Sequence, residues 1–173
     1  MEDSMQKMAG MAAILIVTGI CAGAPRTSAA QAASSTKAST AFNACALLTT
    51  QEAAAAVGEA VGEPKPKNPP QGSMPGVTVA ACEYESASRN SVQVIVWRPF
   101  GDSATMFLQI YRSECQKKEQ VPGLGDVACW HSKEHRELQV LKGATIMTVE
   151  LRRMGSFPEA LLTVTKKAVA RLP

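Results

Sequence analysis

Long apolar runs, histidines and net charge are all scarce in this chain of 173 residues, and each shortage removes a class of function. The apolar run at 11–20 (MAAILIVTGI) falls short of the roughly 20 residues a helix needs to cross a bilayer, so no transmembrane span is expected in the mature protein. The formal net charge is only +3, and the cationic doublets Lys117-Lys118, Arg152-Arg153 and Lys166-Lys167 lie apart. That is too little, too dispersed, for nucleic acid; the doublets read as solvated helix or strand ends. The two histidines, His131 and His135, share one charged stretch, and the G-x-S-x-G elbow of a serine hydrolase is missing. No internal repeat is found.

Cysteine is what the chain does have. An even set of four, Cys45, Cys82, Cys115 and Cys129, lies downstream of what reads as an export signal. The order is that of a secretory signal: Lys7, the run at 11–20, then the small residues Thr27, Ser28, Ala29 and Ala30. Residues 1–30 are therefore expected to be a signal peptide, cleaved near Ala30. Glu2 and Asp3 dilute its positive start, and Met5 as initiator would remove both. Cys21 raises the alternative of a lipid anchor, but a lipobox wants Gly, Ala or Ser before the cysteine and Ile20 stands there. Cys21 is expected to leave with the signal. Four cysteines in an exported chain read as two structural disulfides, and the localisation expected is periplasmic or secreted.

Residues 31–41 (QAASSTKASTA) are small and polar and read as a disordered linker; 42–173 is expected to be one disulfide-bonded domain. Five prolines between 64 and 75 make 61–76 a surface loop, not helix or central strand. Thr49-x-x-Glu52 is a capping box opening an Ala-rich helix that stops at Gly58. Tyr84 and 92–97 flank the turn-rich 86–91 as a hairpin, and 92–97 is apolar on both faces, which places it centrally. Asp102 is expected to cap a second helix with Ala104, Leu108 and Tyr111 on one face, widened by Phe107 and Ile110. Strands are expected at 128–132, 138–141 and 145–151, the last two joined by a Lys142-Gly143 turn. In the last strand Met147, Val149 and Leu151 alternate with Thr148 and Glu150. Ser156 to Glu159 reads as a second capping box, before a helix burying Leu161, Leu162, Ala168, Val169 and Leu172. The fold expected is α+β: an antiparallel sheet of about five strands with three helices packed on it, in the order α-β-β-α-β-β-β-α.

The segments Cys45-Ala46-Leu47-Leu48-Thr49, Cys82-Glu83-Tyr84 and Gly123-Leu124-Gly125-Asp126-Val127-Ala128 resemble a pattern of uncharacterised exported bacterial α+β domains, many of them lipoproteins. The element order also resembles the PsbP-like fold. The first resemblance implies a bridge between the cysteine before the first helix and the one opening the first hairpin, Cys45–Cys82. Four cysteines permit three pairings. Element order argues for the same bridge, and for Cys115–Cys129, since a helix ending at Cys115 folds back on the strand that holds Cys129. Neither resemblance implies a catalytic residue.

Other patterns resolve into structure. Gly123-x-Gly125-x-x-Ala128 matches a dinucleotide fingerprint, but a helix precedes it and a strand follows, so it reads as a turn. Cys129, His131 and His135 would share one face of an extended strand and could ligate zinc. Cys129 has a disulfide candidate, however, and both histidines sit among Lys133, Glu134, Arg136 and Glu137, so no metal or cofactor is expected. Trp97 and Trp130 read as packing residues. The expectation is a non-enzymatic domain that binds an unidentified protein or small ligand through its sheet face or Pro-rich loop. The alternatives are a hydrolase or metal-dependent enzyme and a structural cell-envelope protein.

Overall fold

The computed structural model describes residues 42–67 and 74–173; the signal, the linker, Cys21 and the middle of the Pro-rich stretch lie outside the described residues. A 3-10 turn at Ala44–Ala46 leads into helix α1, Thr50–Val57. Its capping box forms in both directions. The Thr49 hydroxyl accepts from the Glu52 amide, and the Glu52 carboxylate accepts from the Thr49 amide. Gly58 ends the helix at φ 85°, a left-handed conformation that costs a glycine little.

Three strands follow, β1 (Lys65–Lys67), β2 (Val77–Glu85) and β3 (Ser91–Pro99). Then come helix α2 (Ala104–Gln116) and strands β4 (Val127–Trp130), β5 (Glu137–Lys142) and β6 (Thr145–Arg152). Helix α3 (Pro158–Ala170) closes the chain. The fold is α+β, one antiparallel sheet in the order β1-β2-β3-β6-β5-β4. β1 adds a sixth strand within the stretch expected to be loop. It sits at the sheet edge, the place in a sheet where proline is tolerated. β3 is central, paired with β2 and β6.

The sheet has two apolar faces. On the first, Tyr84, Val92, Val94, Val96, Met147, Val149, Leu138 and Val140 form one core with α1 and α3 through Ala53, Val57, Leu161, Val164 and Ala168. α2 crosses the second face, so the helices lie on both sides of the sheet rather than sharing one. Two helix-end expectations also change. Asp102 is not the cap of α2; Ser103 precedes the helix and makes no side-chain cap bond. Ser156 does not cap α3: Phe157 holds that place, and the Ser156 hydroxyl donates to the Glu134 carbonyl at 2.8 Å. Ile110 is 55% exposed and takes no part in the packing face of α2.

Arg153 is no solvated strand end. Its Nη1 donates to the Ala56 and Val57 carbonyls at 3.0 and 2.8 Å, closing the C-terminus of α1. Its guanidinium stacks 3.2 Å from the Phe157 ring centre. Gly58 leaves room for it, since a Cβ there would lie 2.9 Å from Nη1.

Arg171, just past α3, forks onto Glu52 at 2.7 and 2.9 Å and also donates to the Leu47 carbonyl. Arg171, opposed by burial and helped by Thr49, holds the Glu52 carboxyl down from 4.5 to about 2. The unfolded chain takes up this proton at a higher pH than the fold does. The stabilisation is thus full above pH 4.5 and drains away as pH falls toward 2. Glu52→Gln is expected to lower stability at neutral pH and to flatten the acid limb of a stability–pH curve, measured by denaturant midpoints across that window. An acid limb as steep as the parent's would refute the assignment.

Candidate binding cleft between helix α2 and the sheet

The second face divides along the strands. Registers place Lys65, Glu83, Gln93, Glu150 and Glu137 side by side in a polar row across β1, β2, β3, β6 and β5. Glu83 is buried, and burial pushes its carboxyl up. Lys67 at 2.5 Å, Ser91 and Arg152 outweigh that and leave it below its ordinary value. Arg152 is committed chiefly to Glu150 at 2.8 Å. Further along the strands the same face turns apolar, with Ile95, Trp97 and Ile146, and α2 lies over it.

α2 is lightly held. Of its thirteen residues only Cys115 is fully buried, and that one is bonded to Cys129 of β4 with 5.6 Å between Cα atoms. The other bridge, Cys45–Cys82, spans 5.0 Å between Cα atoms and lies on the first face, since Cys82 belongs to the core there. One disulfide thus staples each face. Two disulfides in one small domain are the chemistry of an oxidising, extracytoplasmic compartment. Among the described residues no helix is long and apolar enough to cross a membrane.

Between α2 and the sheet lies a cleft of about 250 Å³. Ile95, Trp97, Ile146, Thr148 and Gln139 form its floor, Phe107 and Tyr111 the helix wall, and Met74 and Glu137 its remaining lining. Phe107 and Tyr111 are one turn apart, which puts both rings on the same side of the helix. The Tyr111 hydroxyl is buried with no hydrogen-bond partner among the described residues, and burial pushes its phenol up. Of the five large apolar side chains most exposed, Met74 lines the cleft, and Phe100, Met106 and Ile110 lie on α2 or its entry. A second depression, about 290 Å³ between α1 and α3, is walled by Ala55, Ala56 and Ala160, and its Glu52 is taken by Arg171.

The remaining candidates fall elsewhere. Lys118 meets His131, and His135 pairs with Glu119 at 2.8 Å while its ring packs against Trp130 at 4.7 Å between centroids, tilted by 51°. With Cys129 bonded to Cys115, the three do not form a ligand set; among the described residues no group of three metal-binding side chains occurs. The Gly123–Asp126 stretch is a turn. Gly125 has φ 63°, a Cβ there would strike the Leu141 carbonyl, and Asp126 accepts from the Gly143 amide at 2.7 Å. Trp130 packs in the core, but Trp97 lines the cleft. Sequence reasoning missed Tyr111 and Glu137 as wall residues. One signal was available for Glu137: its partner across the strands is Glu150, an unfavourable like-charge pair. No family model, curated protein or solved structure matches the chain.

Proposed function

We propose that this is an exported domain, periplasmic or secreted, that acts by binding rather than catalysis, with the α2 cleft as its site for a small apolar ligand. The observation that carries the reading is the cleft itself: an aromatic and aliphatic lining under a helix held mainly by one covalent bond. It joins the sheet face to Met74 from the end of the Pro-rich stretch. An enzyme would gather ionisable groups of shifted pKa in its cleft. Of the described groups with a shifted pKa only the Tyr111 phenol, raised by burial alone, lines this cleft; the depressed carboxyls lie outside it, and each has a structural cause: Arg171 for Glu52, Asn90 for Glu59, Lys67 for Glu83 and Lys117 for Glu114.

The test is a fragment titration followed by amide chemical shifts. Small aromatic fragments are expected to move the signals of Trp97, Phe107, Tyr111 and Ile146 together. Trp97→Ala should weaken them by about tenfold or more, since burying one large apolar side chain contributes ~1.5–3 kcal/mol. Shifts confined to the α1–α3 depression would move the site there.

A further inference from the structure

Resting on the cleft as binding site, we infer that its ligand is a small lipophilic cation, an amine carried on one ring or a short alkyl body. Among the described residues Glu137 is the only charged one lining the cleft. No lysine, arginine or histidine side chain lies within ion-pair distance of it among the described residues; Arg152, two residues along β6 from Glu150, feels the Glu137 charge but is engaged by Glu150 at 2.8 Å and approaches Glu83 at 3.8 Å. Gln139 donates to one Glu137 oxygen at 3.1 Å, which leaves the other free to accept. The Tyr111 hydroxyl has no partner either, and its oxygen can accept.

An ammonium brings three donors and a positive charge, and so answers both groups. Its apolar body would lie on Trp97 and Ile146, where the indole face also favours a cation. A carboxylic acid would meet Glu137 with like charge, and a neutral ligand would leave it unpaired. Across the strands Glu137 stands opposite Glu150, and Arg152 relieves that like-charge pair chiefly from the Glu150 side. Size limits the body, because about 250 Å³ is below the ~300–1,000 Å³ that holds drug-sized ligands.

Three probes of one shape separate the possibilities: phenethylamine, phenethyl alcohol and phenylacetate, titrated into the oxidised protein near neutral pH with amide shifts as readout. The amine is expected to bind at least about tenfold tighter than the alcohol, as a charge-assisted hydrogen bond allows, with phenylacetate weakest. Glu137→Gln is expected to erase the amine's advantage. Equal binding of amine and alcohol, or an advantage that survives Glu137→Gln, would overturn the ligand class while leaving the cleft as a site. If none of the three probes moves Trp97, Phe107 or Tyr111, the cleft assignment fails and the ligand class falls with it.

Discussion

Replacing Cys45 and Cys82 together by alanine is expected to lower the unfolding free energy by about 4 kcal/mol. The bridge closes a loop of sequence separation 37, and most of its effect is the restriction it places on the unfolded chain. It also acts where packing is dense. Cys82 is wholly buried, and the neighbouring Tyr84 hydroxyl engages the Cys45 and Leu48 carbonyls at 2.9 and 2.7 Å. Bridge and tyrosine together fix the entry of α1 to the first face of the sheet. Against the 5–15 kcal/mol typical of a domain, the melting temperature should fall on the order of 10–20 °C. Thermal unfolding of the double variant beside the oxidised parent measures it. A fall of only a few degrees would show that core packing and Tyr84 hold α1 without the bridge.

The double substitution at Cys115 and Cys129 is expected to cost about 3 kcal/mol, from a separation of 14, but to act locally. α2 has no fully buried residue besides Cys115. Without the bond its attachment rests on half-buried Phe107, Leu108 and Tyr111, so the helix should come off the second face before the rest of the domain opens. Hydrogen exchange is the measurement: α2 amides should lose protection while β3 and β6, buried at the sheet centre, keep theirs. Ligand affinity should fall with the helix, because one wall of the cleft is α2. Uniform loss of protection across sheet and helix would make α2 an integral layer of the core and not a tethered cover.

Much of the fold was legible because its signals are local. The Thr49–Glu52 capping box, Gly58, and the positive-φ glycines of the Gly123–Asp126 turn each act within a few residues. Central placement of β3 followed from apolar residues at successive positions. Local signals also failed where distant groups competed. Ser156 had the spacing of a cap, but its hydroxyl found the Glu134 carbonyl. Arg153 looked like a solvated cation until the end of α1, nearly a hundred residues earlier, supplied its acceptors. Pro66 signalled a loop because proline disqualifies a central strand, yet it can sit at an edge.

By itself, then, the sequence determined the three helices and five of the six strands, which strand needs cover on both sides, and that four cysteines would bond. Only the tertiary structure decided which helix covers which face, and so on which face each disulfide lies. Periodicity sorts side chains around a chain's own axis. It does not say on which side of a two-faced sheet the next helix will pack. The cleft shows this most plainly: Trp97, Tyr111 and Glu137 come from β3, α2 and β5, and share one space only because β6 pairs between β3 and β5 while Cys115–Cys129 draws α2 across them.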